Sequence, residues 1–398
     1  MHTSTRRPLR GLGYVVPRLL AVVCLLDIGL RFTSIDPLSF RAWEAVSRYR
    51  PPGAAFEPNR QYRKDRTYGD AAAMGNMPEL RQYRREVFTT DAFGFRNVGD
   101  MRARGVAAIM IGDSSAVGSG VSDDQTLPAR LTALSGCGVY NAGAEDATPD
   151  PDRVSALSRK LGVHGGLVIH LYTEDRELPT VPSIRKRSVD QILALTPAWM
   201  SSVVAQIRGV VTVSPLRILG ERALRVLENG RILPNRYALN VVKAAVNNGD
   251  TMLFPAAHVR NFYRKRAVAV NYWTWLQNDL RTEHQDLLVL LVPGKYSVYR
   301  PFLVDQPPVG DGMGDYLARV ERELRAAGVP VLNLAPMFAA QAAARLARRE
   351  YLYWLDDTHW NAQGIDLAAA AIHAAWPLAG SPCSSDHIVS DVDGRMRK

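Results

Sequence analysis

A serine hydroxyl becomes a nucleophile when a neighbouring base takes its proton. Ser114 stands in Gly112-Asp113-Ser114-Ser115, directly after the apolar run Val106–Ile111. Such a run fixes the backbone beneath it and aims the serine into whatever cleft lies beyond. His359 can be the base. Asp356, three residues earlier, is a candidate to hold the other imidazole nitrogen and fix its tautomer, and Asp357, two residues earlier, is a second. This pattern suits acyl transfer through a covalent intermediate. The oxyanion that forms needs donors, and the backbone N–H groups of Ser114 and Gly143 are the candidates. Asp113 reads as a residue that holds the turn.

The positioning elements follow from periodicity. Val106–Ile111, Gly138–Tyr140, Leu167–Tyr172, Leu287–Val292 and Val329–Leu332 are short apolar runs, as expected of strands buried on both faces. Helical patterns lie between them at Thr126–Leu134, Pro151–Leu161 and Gly314–Ala327, with a last one at Gln363–Ala375. This alternation predicts an α/β protein, a three-layer α/β/α domain around a five-stranded parallel sheet. Ligands bind beyond the carboxyl ends of such strands. There the sequence places Ser114, Gly143, Thr173-Glu174-Asp175 and Pro293-Gly294-Lys295. Glu174, Asp175 and Lys295 are the candidate substrate contacts, with a solvated loop as the plainer account of Lys295. His170, inside an apolar strand, reads as a core histidine.

Residues 179–284 are long for one crossover and predict a helical insertion, with patterns at Val189–Ile207, Leu216–Leu227 and Arg260–Asp279. Its aromatic patch (Phe262, Tyr263, Tyr272, Trp273, Trp275) either packs the insertion on the core or forms a lid over Ser114. No His/Cys cluster has metal-ligand spacing, and no glycine cluster makes a dinucleotide or phosphate loop. No cofactor is expected.

The 398 residues carry a net charge of +10, with 47% apolar and 22% charged residues, which excludes a chain disordered throughout. Residues 1–104 hold 18 Lys/Arg against 10 Asp/Glu, so +8 of the excess precedes the sheet. With a nearly neutral main domain and no nucleic-acid-binding motif, nucleic acid is not an expected partner. Arg6, Arg7 and Arg10 precede the apolar segment Gly11–Leu30. Its length and flanking charge predict a signal anchor with the N-terminus in the cytoplasm, with a cleaved signal peptide or a buried amphipathic helix as the alternatives. Residues 35–104, rich in Arg, Tyr and Pro, read as a loosely packed basic lead-in near anionic lipid. Three cysteines exclude a disulfide scaffold, although Cys137 and Cys383 would be able to pair in an oxidising compartment.

In the order of these motifs the chain resembles the SGNH (GDSL-like) hydrolase superfamily. Gly112-Asp113-Ser114 with Gly118 is similar to its first block, Asn141-Ala142-Gly143 to its second, and Asp356 with His359 to its Asp-x-x-His pair. The stretch Gly112–Leu131 and the lead-in Asp91–Asn97 resemble membrane-anchored members from bacterial envelope polysaccharide loci. Pro293-Gly294-Lys295-Tyr296 and Thr358-His359-Trp360 resemble the alginate O-acetyltransferase branch, whose serine instead follows its Asp/His pair. Tyr172-Thr173-Glu174-Asp175 departs from the family by lacking the asparagine that would complete the oxyanion hole. The resemblance implies an SGNH/flavodoxin-like fold and a serine-dependent acyl-ester hydrolase or O-acetyltransferase acting on an envelope or extracellular carbohydrate. A catalytically silent polysaccharide-binding or assembly factor of the same fold is the alternative. The expected organisation is an anchor over 1–34, the lead-in over 35–104, the catalytic domain over 105–378 and a polar tail over 379–398. The expected place is the outer face of the cytoplasmic membrane, beside envelope polysaccharide machinery.

Overall fold

The computed structural model describes residues 12–31, 54–144, 151–163, 165–181, 214–229, 232–310, 314–376 and 378. The expected tail, Cys383 and the pattern at Val189–Ile207 lie outside these residues. The elements before the sheet are α1 (Leu12–Arg31), β1 (Gln61–Thr67), α2 (Asp70–Met74) and β2 (Arg84–Thr89). The first half of the domain is β3 (Val106–Gly112), α3 (Ser114–Val117), α4 (Leu127–Ser135), β4 (Gly138–Asn141), α5 (Pro151–Leu161) and β5 (Gly166–Thr173). The insertion contributes α6 (Pro215–Asn229), β6 (Val241–Ala245), β7 (Thr251–Pro255), α7 (Ala256–Phe262) and α8 (Asn271–Thr282). The second half is β8 (Gln285–Val292), α9 (Lys295–Tyr299), α10 (Tyr316–Ala326), β9 (Val331–Asn333), α11 (Ala335–Arg345) and α12 (Ala362–Ala375).

The five apolar runs form one five-stranded sheet in the order β4-β3-β5-β8-β9, and every pairing in it is parallel. Each residue from Leu287 to Val292 is at most 3% exposed, because helices cover both faces. Burying each such side chain stabilises the fold by roughly 1.5–3 kcal/mol. On one face the core joins α4, α11 and α12 to Phe254, Tyr296 and Tyr299. On the other it joins α5, α8 and α10, with Tyr272 and Trp273 at its centre.

That second core settles the aromatic patch. Trp273 is fully buried and its indole N–H donates to His170 Nδ1 at 2.8 Å. His170 is the expected core histidine, and burial pushes it down to about 4 despite the charge of Asp113. Phe262 and Tyr263 pack instead around Tyr296 on the opposite face. The patch is packing, divided between two cores, and not a lid. The helix expected over Arg260–Asp279 is broken between α7 and α8. There the chain turns inward to bury Arg266, which donates to the carbonyls of Glu174 and Arg176 and stacks over the Tyr316 ring at 3.4 Å. The insertion also holds an antiparallel hairpin, β6–β7, which the helical reading missed.

The lead-in is not loosely packed. Its β1–β2 hairpin is antiparallel, and two of its arginines, Arg84 and Arg96, are buried rather than solvated. Arg96 reaches the carbonyls of Val87, Gly118 and Val121 and the Asp123 carboxylate. Asp91 accepts from the backbone of Phe93 and Phe95, from Asn97 and from the Tyr140 hydroxyl. Asp91–Asn97 thus ties the loop after Ser114 to β4.

The expected anchor also needs correction. α1 forms as a 20-residue helix, but no helix among the described residues is long and apolar enough to cross a membrane. Pro17, Arg18 and Asp27 interrupt the apolar run. Asp27 has a polar task in the structure: it accepts from the Ser214 hydroxyl and the Leu216 N–H at the start of α6.

Candidate active site

Ser114 opens the single turn of α3 at the carboxyl end of β3, which lies between the edge strand β4 and the central strand β5. Gly112 makes the sharp exit possible. Its φ is +151°, and a Cβ there would sit 2.7 Å from the Leu171 carbonyl oxygen. Asp113 caps the turn: Oδ1 accepts from the Ser115 N–H at 2.9 Å. Its Oδ2 accepts from the Thr173 hydroxyl at 2.6 Å and Arg176 Nε at 3.0 Å. Asp113 is therefore the turn-holding residue that its sequence position suggested.

His359 precedes α12 and reaches across to β3. Its Nε2 lies 2.8 Å from Ser114 Oγ, and its Nδ1 lies 2.8 Å from Asp357 Oδ1. Burial raises the Asp357 carboxyl, but the His359 ring and the Arg84 guanidinium outweigh it and hold Asp357 well below the usual carboxylate range. An ionised Asp357 only accepts, so Nδ1 carries the proton and Nε2 is left to accept from the Ser114 hydroxyl. The pieces of a nucleophile, its base and an orienting carboxylate stand in line.

Asp356, expected at the second imidazole nitrogen, is elsewhere. It is wholly buried and accepts from the N–H of Gly69 at 2.7 Å, the N–H of Gln82 at 2.9 Å and Arg84 Nη1 at 3.0 Å. Arg84 bridges the two adjacent carboxylates, with Nη2 on Asp357 Oδ2. Successive side chains leave the backbone in different directions. One carboxylate therefore faces the histidine and the other faces the lead-in. Gly69, Gln82 and Arg84 carry no recognisable site pattern, and sequence reasoning missed all three.

Asp70 was missed as well. It accepts from the N–H and hydroxyl of Thr358, at 2.8 and 2.7 Å, and its Oδ2 lies 3.8 Å from His359 Nδ1. Asp70, Asp357 and His359 present donor atoms within 4.8 Å of one another. Both oxygens of Asp357 are already engaged, Oδ1 by His359 and Oδ2 by Arg84.

The remaining expected contacts are redirected. Lys295 is buried, donating from Nζ to the carbonyls of Leu253, Leu355 and Asp357 at 2.8–2.9 Å. Burial pulls it down to about 7, while Asp356, Asp357 and Asp70 oppose that fall. It is a strut beneath the His359 loop, neither a solvated lysine nor a substrate contact. Glu174 is also buried and accepts from the Gly294 N–H at 2.9 Å. Burial and the neighbouring Asp175 push it up to about 7. Asp175 is half-buried and pairs with His258, Nδ1 to Oδ2 at 3.1 Å. Burial lowers His258, but Asp175 outweighs it and holds the ring above the usual histidine value. His258 starts from the insertion and has no pattern that marks it in the sequence.

Of the two expected oxyanion donors, Gly143 lies against α3. A Cβ there would come within 2.7 Å of the Val117 nitrogen, so only glycine fits. Its N–H, however, donates to Asn141 Oδ1 at 3.0 Å. Among the described residues no acceptor takes the Ser114 N–H.

Residues 253–384 match the family model described as SGNH hydrolase-like domain, acetyltransferase AlgX. The matched stretch contains Lys295, Asp357 and His359 but not Ser114. No curated protein matches the chain. Among solved structures, one described as a lipolytic protein of the G-D-S-L family from Desulfitobacterium hafniense DCB-2 is 12% identical. That alignment covers 67% of this chain and 97% of that one, with a TM-score of 0.28. A second is 14% identical over 69% of this chain and 97% of its own, with a TM-score of 0.30. The family match covers residues 253–384 and is to an SGNH hydrolase-like domain; a serine ahead of that stretch, after the first strand of the parallel sheet, faces a histidine within it, ahead of the last helix.

Proposed function

We propose that the protein moves acyl groups through a Ser114 acyl-enzyme, with His359 as base and Asp357 as its orienting carboxylate. One observation carries this reading: the line from Ser114 Oγ through His359 to Asp357, with 2.8 Å at each step. Ser114 Oγ attacks the ester carbonyl as its proton passes to His359 Nε2. The carbonyl electrons move to the oxygen, where the Ser114 N–H supports the negative charge. The oxyanion collapses, the ester C–O bond breaks, and Nε2 returns the proton to the leaving alcohol. An acceptor hydroxyl then gives its proton to Nε2 and attacks the acyl-enzyme, freeing Ser114. Water as acceptor makes an esterase and a sugar hydroxyl makes an O-acetyltransferase.

The family match names an acetyltransferase, which supports acetyl as the group moved; the acceptor in this reading is an envelope carbohydrate. An extracytoplasmic location is supported by Cys137, which is disulfide-bonded while Cys24 is free. The test is release of acetate from 4-nitrophenyl acetate and transfer to an oligosaccharide, with Ser114→Ala as control. Equal rates for the two proteins would leave only a silent binding or assembly factor.

A further inference from the structure

We propose that α6 and the segment after it seat the protein on a lipid bilayer surface, with α1 lying beside them in the interface. The observation is a helix turned inside out. Over its last two turns α6 points its charged residues inward. Arg222 donates to the Tyr68 hydroxyl at 3.1 Å, Arg225 donates to the Ala73 carbonyl, and Glu228 is buried against Arg236 and Asn76. The same two turns point Leu224, Val226 and Leu227 outward, Val226 being 66% exposed. An ordinary surface helix has the reverse pattern. The chain continues the apolar surface beyond α6, with Ile232 71% and Leu239 90% exposed. Scattered apolar residues on a surface need no explanation, but a run of them on an inverted helix does.

What covers this surface is indicated by α1. Every residue from Val15 to Leu26 is exposed, so the helix shows apolar side chains on all sides for three turns. A protein partner needs a matching shape, whereas acyl chains take up whichever apolar side chains of α1 are turned to the bilayer. α1 is fixed to the start of α6 through Asp27 and Ser214, which places the two helices side by side there. Arg18, within α1, and Arg217, exposed on the first turn of α6, are placed to reach headgroups. Glu221, also exposed on α6, opposes them, so apolar burial and not charge is the main attraction. No described helix is long and apolar enough to cross the bilayer, which agrees with helices lying in its interface. The seat is close to the proposed site in the chain. Arg222 and Arg225 hold Tyr68 and α2, and α2 begins at Asp70 beside Thr358.

The inference stands apart from the acyl chemistry, so its test reads no activity. In the full chain carrying Cys24→Ser, an NBD fluorophore is attached at Leu239→Cys, at Val226→Cys, or at Asp286→Cys as a control. Asp286 is exposed at the amino end of β8, at the opposite end of the sheet from the site. Vesicles of phosphatidylcholine, alone or with phosphatidylglycerol, should shift the first two labels to the blue and brighten them, leaving the third unchanged. Val226→Asp with Leu239→Asp should abolish these shifts for a label at Leu224→Cys while circular dichroism is unchanged. Flotation with vesicles but no shift at positions 226 and 239 overturns the proposal, because α1 alone would then bind lipid. Failure to float overturns it too. A blue shift that grows with protein concentration without lipid assigns the face to a second copy and overturns it as well.

Discussion

Replacing Asp357 and Asp356 one at a time by asparagine separates two adjacent carboxylates that differ in what they hold. Asp357→Asn keeps the shape of the side chain but removes the charge that fixes the proton on His359 Nδ1. The amide can also present its own N–H to that nitrogen, which favours the tautomer unable to accept from Ser114. In an enzyme with this relay the same change costs about 10⁴ in kcat, or about 5.5 kcal/mol of transition-state stabilisation. We expect a loss of about that size in 4-nitrophenyl acetate turnover. Asp356→Asn removes a buried anion that accepts three hydrogen bonds from Gly69, Gln82 and Arg84. Breaking a buried charge pair costs about 3–5 kcal/mol of folding stability. The fraction that stays folded should keep kcat within about tenfold of wild type, since His359 retains its partner. Urea unfolding measures the first quantity, and turnover per folded molecule measures the second. A 10⁴-fold loss in Asp356→Asn with a near-normal Asp357→Asn would refute the assignment of the orienting carboxylate.

Arg84→Lys keeps a charge but cannot bridge Asp356 and Asp357 at once. It should lower kcat about 10- to 100-fold with little change in KM, and a matched fall in both would point instead to a substrate contact. Glu174, held near 7 by burial, makes the fold lose stability as pH rises. Folded Glu174 stays protonated above the unfolded value, so its contribution is full below about pH 4 and falls through pH 7, by on the order of 3 kcal/mol. Urea midpoints of Glu174→Gln measured from pH 4 to 8 should lack this slope. Asp357 has the opposite sign: its folded value is depressed, so its contribution is full above about pH 4 and is lost on further acidification. Asp357→Asn should flatten the acid side of the unfolding curve. Lys295→Met strips the Nζ donor from three carbonyls and should cost about 3 kcal/mol in urea unfolding. An unchanged midpoint would show that the carbonyls find other donors.

Much of the fold was legible along the chain. A strand buried on both faces needs an unbroken apolar run, and such runs are visible whatever surrounds them, so five strands and their parallel order class followed from composition alone. Ser114 and His359 were legible for a related reason: each sits at an element boundary marked by glycine or by a polar cluster. The lead-in was not legible, because β1 (QYRKDRT) carries charges that read as solvated until their partners are known. The hairpin β6–β7 was hidden by a similar lack of long apolar runs.

The sequence by itself determined the sheet, the serine and histidine proposed as nucleophile and base, and the fact that a carboxylate stands two or three residues ahead of that histidine. Only the tertiary structure decided which carboxylate it is. Asp356 and Asp357 are chemically identical neighbours. Their roles are set by Gly69, Gln82 and Arg84, which lie more than 270 residues away and pull one of them toward the lead-in. The same holds for Lys295 and Glu174. Whether a charged side chain meets solvent, substrate or the protein's own carbonyls depends on what is folded over it, and no local pattern carries that information.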